Sequence, residues 1–224
     1  MRKLVAPALI AAAFITSTVV FPRLPDTMAT HWNLAGEPDG WSSRTVAAFF
    51  APTAMLFVWV LLRWLPTVDP RRANLADAAD VYGYTLDALL LFFLGLHVTM
   101  LGEALGWPVS LVTAVPVGIG LLLVLVGVFL PRVRPNYTFG IRTPWTLASD
   151  RVWARTHRVG GPVLVVTGLV MGGGALVLPK ASFRWLLLPM LVAAAGTVYY
   201  SYRAWREEAA AGGGPAAPGG SAAR

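Results

Sequence analysis

Six long apolar segments, separated by polar connections that contain Pro and Gly, run through the chain. A transmembrane helix needs about 17–25 mostly apolar residues, and each segment is long enough. The pattern therefore predicts an all-α polytopic membrane protein with six transmembrane helices. The predicted spans are Leu4–Phe21, Thr45–Leu65, Tyr84–Leu105, Val109–Leu130, Gly161–Leu178 and Phe183–Trp205.

The composition agrees with this fold class and excludes others. Hydrophobic residues make up 56% and charged residues 13% of the 224 residues, and the mean hydropathy is +0.62. Ordinary soluble domains carry about 25% charged residues. The spans leave no room for a soluble catalytic domain. The chain has no cysteine, which excludes disulfides, thiolate catalysis and cysteine-ligated metals.

The distribution of basic side chains predicts the orientation of the helices in the membrane. Cytoplasmic loops of membrane proteins carry the excess of Lys and Arg. If the N-terminus is cytoplasmic, all but four of the 18 Lys and Arg residues lie on the cytoplasmic side, and the four are Arg23, Arg44, Lys180 and Arg184. We therefore expect both termini in the cytoplasm. A secretory signal peptide is the alternative for the first span, but no small-x-small cleavage site follows it.

The chain divides into three regions. Residues 1–65 hold two spans and a long connection, the first loop (22–44), which is expected outside. Residues 66–205 hold four spans and the second loop (131–160), which is expected in the cytoplasm. Residues 206–224 are Ala, Gly, Pro and Ser for the most part, and we expect a disordered tail.

Small residues in the fifth span predict close contact with another helix. Gly168 and Gly172 form a GxxxG pair, and small residues let helix backbones approach each other in lipid.

Three ionisable side chains, Asp87, His97 and Glu103, lie in the third span. Charged groups inside a membrane are functional candidates. At 100° per residue, however, they do not form one stripe, and only His97 lies deep. A neutral histidine bonded to a neighbouring helix and a proton-relay or substrate role both remain open for it.

No catalytic signature is present, because HExxH, GxSxG and GxxxxGK[ST] do not occur. The three histidines, His31, His97 and His157, are expected at different depths and cannot share a metal ion. We therefore expect neither an enzyme nor a cofactor.

The first loop is rich in turn formers and in aromatic residues. Its two tryptophans suit the headgroup level of a membrane. A compact loop at the membrane surface and a ligand-binding surface are both compatible with this composition. The candidate ligand residues are Pro25, Asp26, His31, Trp32, Asn33, Gly36, Asp39, Gly40 and Trp41.

The second loop predicts a short amphipathic helix from Ser149, a good N-cap, to the Gly160-Gly161 pair. Arg151, Arg155 and Arg158 would form one basic stripe on it. The stripe could face anionic lipid, with Trp145 and Trp153 as interfacial anchors, or it could dock a cytosolic partner. The candidate residues of this loop are Asn136, Tyr137, Gly140, Arg142, Thr143, Pro144, Trp145, Thr146, Trp153, Thr156, His157 and Arg158.

Both loops carry a family resemblance. The second loop reads Arg134-Pro135-Asn136-Tyr137, Gly140-Ile141-Arg142-Thr143-Pro144-Trp145-Thr146-Leu147, Trp153 and Thr156-His157-Arg158, and resembles the hallmark of the SdpI family of bacterial membrane proteins. The first loop reads Leu24-Pro25-Asp26, His31-Trp32-Asn33 and Gly36-Glu37-Pro38-Asp39-Gly40-Trp41, and resembles the DUF1648 segment that often precedes it. The likeness covers about residues 1–205.

The resemblance implies a multi-pass protein of the bacterial cell membrane with a role in immunity. The family's namesake protects its producer from a secreted toxic peptide and holds a small helix-turn-helix repressor at the membrane when the toxin is present. The expected partners are thus membrane lipid, a peptide outside and a repressor inside, without direct binding of nucleic acid. Two alternatives stay open: a small transporter that uses His97, Asp87 and Glu103, and a lipid-modifying enzyme that uses His31 or His157.

Overall fold

Eight α-helices and one two-stranded antiparallel sheet make up the part of the chain that the computed structural model describes, residues 4–178 and 182–212. The prediction of a helical membrane protein is confirmed. In chain order the elements are α1 Val5–Val20, β1 Thr27–Trp32, β2 Pro38–Ser43, α2 Arg44–Trp64, α3 Arg72–Ala76, α4 Ala79–Ala104, α5 Leu111–Phe129, α6 Pro144–Ala148, α7 Asp150–Val177 and α8 Ser182–Ala210.

Five helices of the described chain are long and apolar enough to cross a membrane: α1, α2, α4, α5 and α7. They correspond to the first five predicted spans, although the ends of the helices differ from the predicted ends. The helix α8 covers the sixth but is not among the five, so the six-span count and the orientation of the ends stay predictions. Many large apolar side chains, such as those of Phe50, Leu121 and Val177, point out of the bundle. Such a surface fits contact with lipid.

The long helices alternate in direction, which separates the two loops. The β1–β2 hairpin packs through Leu24 and Met28 against Leu101 of α4 and defines the hairpin end of the bundle. The second loop lies at the opposite end, the second-loop end. There the side-chain amide of Asn74 in α3 donates a hydrogen bond to the carbonyl of Pro135 (2.7 Å), and the hydroxyl of Ser149 donates to the carboxylate of Glu208 in α8 (2.6 Å).

The closest helix contact joins α5 and α7 through glycines. A Cβ on Gly168 would lie 2.3 Å from the carbonyl oxygen of Gly120, and a Cβ on Gly127 would lie 2.6 Å from that of Gly161. These distances leave no space for a methyl group, so the backbones touch. The predicted packing role of Gly168 agrees with this contact.

The amphipathic helix predicted to end at Gly160-Gly161 is not a separate element, and this prediction is wrong. The helix α7 continues through both glycines and through Pro162 to Val177. Both glycines are buried, and a Cβ on Gly160 would lie 2.3 Å from the side chain of Ile141. Packing of the glycine backbone against other elements outweighs the weak helix propensity of glycine.

The predicted disordered tail begins too early. The helix α8 extends to Ala210, because Glu207 and Glu208 have partners on α7 and next to it. The guanidinium of Arg155 donates to the Glu207 carboxylate at 2.7 Å, and this hydrogen bond lowers the pKa of that carboxyl. Residues 213–224 of the predicted tail lie outside the described residues.

Candidate functional site

The first loop, which is rich in turn-forming residues, forms a bulged two-stranded hairpin. The register between β1 and β2 shifts on both sides of His31, which lies opposite Gly40. The connection between the strands is closed by Asn33, whose side-chain oxygen accepts hydrogen bonds from the N–H groups of Ala35 (2.8 Å) and Glu37 (3.1 Å). This local bonding explains why turn-forming residues here are compatible with strands on either side.

Two polar pairs lie on the hairpin, His31 with Asp39 and Arg44 with Asp26. The imidazole Nδ1 of His31 is 2.5 Å from a carboxylate oxygen of Asp39, and Arg44 is bonded to the carboxylate of Asp26. Exposed pairs contribute little to stability. The His31 and Asp39 side chains, 72% and 42% exposed, are open to a ligand.

The two tryptophans of the hairpin line a cavity of about 430 Å³ between the hairpin and the junction of α4 and α5. Trp41 is 62% exposed, whereas Trp32 is partly buried. The other wall residues are Pro25, Thr27, Met28, Ala29, Gly36, Pro38, Met100, Glu103, Ala104, Ser110 and Val112. The structure thus brings Pro25, Trp32, Gly36 and Trp41 of the first-loop candidates together at one cavity, the hairpin cavity.

A smaller cavity of about 290 Å³ continues from Trp32 into the bundle between α2, α4 and α5. Its walls are almost wholly apolar and include Phe50 and Met100. His97 is the polar member of the lining. Its Nε2 is 2.8 Å from the hydroxyl of Ser17 in α1, and the side chain is buried. The expectation that His97 bonds a neighbouring helix agrees with this contact.

The three ionisable residues of the third span do not meet. Glu103 lies at the hairpin cavity, where one carboxylate oxygen accepts a hydrogen bond from the N–H of Leu111 at the start of α5 (2.8 Å). His97 lines the inner cavity, and Asp87 lines neither. The separation expected from the helical angles is therefore present in the folded bundle.

Buried polar groups hold the second loop to the connection between α2 and α4. The side-chain oxygen of Asn136 accepts from the N–H groups of Thr138 (2.9 Å) and Phe139 (2.6 Å). The carboxylate of Asp69 accepts from the N–H of Tyr137 (2.9 Å) and from the Thr138 hydroxyl (2.6 Å). Burial acts to raise the pKa of Asp69, but these hydrogen bonds and one from the N–H of Arg71 leave that pKa lowered.

His157 forms the centre of the second loop. Its Nε2 accepts a hydrogen bond from the N–H of Ile141 (3.0 Å), so its Nδ1 carries the proton and donates to the carbonyl of Trp153 (2.9 Å). The Trp153 ring stacks on the imidazole at 4.1 Å and donates from Nε1 to the carbonyl of Val133 (2.7 Å). Gly140 passes over the imidazole with a φ of +124°. Both His157 and Trp153 therefore position the loop backbone.

The short helix α6 ties the same loop to α8. Thr143 and Thr146 form a reciprocal cap at its start, and the Thr143 hydroxyl is 3.1 Å from that of Ser201. The ring of Trp145 lies 5.2 Å from the ring of Tyr202. Trp145, a predicted interfacial anchor, therefore contacts a protein side chain.

The predicted interfacial role of Trp153 is wrong, because the side chain is only 1% exposed. The basic stripe also differs from its prediction, since Arg151 and Arg155 face the carboxylates of Glu208 (3.8 Å) and Glu207 (2.7 Å). These acidic partners sit on α8, which is distant in sequence.

Ten of the twelve second-loop candidates divide into a buried scaffold and an exposed face, and Gly140 and Trp145 are partly buried. Asn136, Thr143, Thr146, Trp153, Thr156 and His157 are buried. Tyr137, Arg142, Pro144 and Arg158 are exposed and define the second-loop face. Arg142 is bonded to the carbonyl of Tyr137. A partner in solution can therefore reach the exposed set but not the buried scaffold.

Sequence reasoning missed Asp69, Met100, Glu207 and Glu208 as neighbours of the candidates. Asp69 carries a local signal, because Asp followed by Pro favours a turn. The other three contacts have no local signal. Among the described residues, no group of three or more His, Asp or Glu side chains is placed to hold a metal ion.

Comparison with known proteins places both loops in named families. Residues 132–202 match the SdpI/YfhL protein family, and residues 8–56 match DUF1648, a domain of unknown function. The immunity protein SdpI of Bacillus subtilis (strain 168) is 25% identical over 191 residues, which are 85% of this chain and 87% of that protein. The chain is thus similar to the SdpI family over residues 132–202 and to an SdpI protein over most of its length. No solved structure matches it.

The two matched regions coincide with the two structural features described above. The DUF1648 match contains the whole hairpin, and the SdpI match contains the buried scaffold around His157. The spanning helices and the similarity to SdpI identify a multi-pass protein of the bacterial membrane. The relationship also supports a membrane immunity function and agrees with the expectation that the chain is not an enzyme.

Proposed function

We propose that this chain is an immunity and sensing protein that binds a secreted toxic peptide at the hairpin end without consuming it. The observation that carries the proposal is the hairpin cavity, which is flanked by Trp32 and Trp41 and lies in the segment that matches DUF1648. Aromatic side chains beside exposed polar groups are typical of peptide-binding surfaces. The His31–Asp39 pair next to the cavity offers such polar groups.

The first test measures protection directly. A bacterium sensitive to a secreted antimicrobial peptide expresses the wild-type chain or Trp41→Ala, and survival is measured over a range of peptide concentrations at equal membrane protein level. Because Trp41 is 62% exposed, its truncation removes contact area with little cost in folding. We expect the peptide concentration that the cells survive to fall about tenfold, which corresponds to a 1.4 kcal/mol loss of affinity.

Leu34→Ala is the matched control. Leu34 is also 62% exposed and lies in the turn of the same hairpin, but it does not line the hairpin cavity. This variant should protect like the wild type. Equal loss of protection in both variants, or full protection by Trp41→Ala, contradicts binding at the cavity.

The absence of consumption has its own measurement. Peptide is incubated with cells that express the chain and then recovered, and its mass is measured by mass spectrometry. We expect intact peptide together with protected cells. Accumulation of a cleaved or modified peptide that depends on His31 or His157 supports an enzyme instead.

The output is assigned to the second-loop face, where a helix-turn-helix repressor would dock. Tyr137, Arg142, Pro144 and Arg158 are exposed there, while the buried scaffold behind them keeps the loop in one shape. Arg158→Ala should weaken recruitment of a repressor encoded next to this gene, without changing protection. A membrane fraction that retains equal repressor with wild-type chain and variant contradicts this part alone.

The transporter alternative makes a different prediction. His97 lines the inner cavity, Glu103 lines the hairpin cavity and Asp87 lines neither, so these two cavities do not join the three side chains in one polar path. If His97→Ala abolishes protection while Trp41→Ala does not, transport replaces binding as the better account.

A further inference from the structure

A cavity of about 340 Å³ lies at the second-loop end, between the end of α2, the helix α3 and the start of α4. Arg63 from the last turn of α2 and Arg72 at the start of α3 both line it and are both exposed. Neither forms an ion pair with any residue of the described chain. Arg71 and Arg134 nearby, in contrast, each pair with a carboxylate.

The rest of the cavity is largely apolar. Leu75, which is buried, and Leu86 contribute side chains, and Ala79 and Gly83 keep the space open between them. The hydroxyl of Tyr82 donates to the carbonyl of Leu62 (2.6 Å) and so is engaged within the bundle. Two cations thus stand beside a pocket whose interior offers mainly hydrocarbon contact.

The position of neighbouring aromatic side chains indicates the depth of the cavity. Trp64 ends α2 and Tyr84 lies in the first turns of α4, and both are exposed on the bundle surface. Exposed Trp and Tyr side chains at helix ends mark the headgroup level of a bilayer. The two arginines therefore lie at the height of lipid phosphates.

We propose that this cavity is a binding site for one anionic phospholipid. The phosphate lies between the guanidinium groups of Arg63 and Arg72, which offer paired N–H donors to phosphate oxygens. The first part of an acyl chain lies against Leu75 and Leu86. Basic pockets between transmembrane helices are known to select acidic headgroups. The site is separate from the hairpin end and does not depend on the proposed function.

Native mass spectrometry of the full chain in detergent, titrated with palmitoyl-oleoyl phosphatidylglycerol, tests the proposal. Each basic side chain near acidic lipid contributes about 1 kcal/mol, so Arg63→Gln with Arg72→Gln should weaken binding of the first lipid about 30-fold. The control is Arg203→Gln with Arg206→Gln, which makes the same change in net charge on α8 and should weaken it less than about threefold. Thermal unfolding of both double variants checks that they are folded.

Two further binding measurements test whether the ligand is a lipid. Palmitoyl-oleoyl phosphatidylcholine should bind the wild type at least about tenfold more weakly than phosphatidylglycerol, and millimolar glycerol phosphate should not displace the bound lipid. Ala79→Trp, which fills the apolar part and leaves both arginines, should also reduce lipid binding. Equal losses in the two double variants, equal affinity for both lipids, displacement by glycerol phosphate, or unchanged binding in Ala79→Trp would overturn the site.

Discussion

The hydroxyl of Ser17 in α1 donates a hydrogen bond to the carbonyl oxygen of Ala48 in α2 at a distance of 2.6 Å. Pro52 follows Ala48 by four residues and has no N–H, so this carbonyl lacks its usual helical donor. A hydroxyl has one proton, and its second carbonyl contact, to Ala13, is longer at 3.0 Å. Hence His97 donates from Nε2 to Ser17, and the chain of bonds joins α1, α2 and α4.

A double-mutant cycle tests this relationship. Ser17→Ala should cost about 1–2 kcal/mol of unfolding free energy, because it leaves the Ala48 carbonyl without its donor and removes the hydroxyl partner of His97. Pro52→Ala supplies an N–H to Ala48, so the cost of Ser17→Ala should fall by at least about 0.5 kcal/mol in that background. Unfolding in mixed detergent and dodecyl sulfate micelles measures both. The control is Thr18→Val, whose hydroxyl is exposed and bonds only its own helix.

Gly140 should tolerate no side chain. A Cβ there would lie 2.5 Å from Nε2 of His157, and its φ of +124° is unfavourable for other residues. We expect Gly140→Ala to destabilise the protein by about 1–3 kcal/mol. A Cβ on Gly173 in α7 would meet open space, so Gly173→Ala should raise the unfolding free energy by about 0.5–1 kcal/mol. Thermal unfolding in detergent separates the two, and a stable Gly140→Ala variant contradicts the described loop geometry.

Alanine substitutions at the two glycines of the GxxxG pair should have different effects on stability. A Cβ on Gly168 would lie 2.3 Å from the Gly120 carbonyl oxygen, whereas a Cβ on Gly172 would have ordinary contacts at 3.8 Å. Gly168→Ala must therefore push α5 and α7 apart, at a cost of about 1–3 kcal/mol. Gly172→Ala should be neutral or slightly stabilising. Similar midpoints for both variants in dodecyl sulfate unfolding would disprove the contact.

The hydrogen bonds of Asp69 predict a pH dependence. Its pKa in the folded protein is lower than the ordinary value of 3.8. Its stabilising contribution is therefore complete above this value and is lost as the pH falls through the folded pKa. Asp69→Asn should be about 1–3 kcal/mol less stable than the wild type at pH 7, because one acceptor becomes a donor, and the gap should narrow below about pH 4.

Asp77→Asn is the control for the pH experiment. Its carboxylate pairs with Arg134, and both side chains are more than half exposed. Exposed pairs of this kind contribute less than about 1 kcal/mol. A gap between wild type and Asp69→Asn that does not change with pH would contradict the assignment.

The topology has a direct test because the chain has no cysteine. Single cysteines at Leu34 in the hairpin turn and at Ala148 at the end of α6 lie at opposite ends of the bundle, and both positions are exposed. A membrane-impermeant thiol reagent added to intact cells should label only the cysteine at position 34. Labelling of both positions, or of position 148 alone, contradicts the predicted orientation.

The sequence was sufficient for features that depend on neighbouring residues. An apolar run of about 20 residues has one stable arrangement in a bilayer, a helix, so five spans could be read directly. The two loop motifs are also sufficient to indicate the family, because each is a continuous stretch of the chain. The angular separation of His97 and Glu103 followed from helix geometry alone.

Only the tertiary structure decided which residues have partners distant in the chain. Asp69 meets Thr138, and Glu207 meets Arg155, across long sequence separations for which no local pattern exists. Gly160 reads as a helix stop in isolation, yet α7 continues through it because its backbone packs closely against Ile141. Trp153 resembles an interfacial anchor in composition but is buried on His157. Local propensities are worth about 1 kcal/mol or less, and packing and burial exceed them.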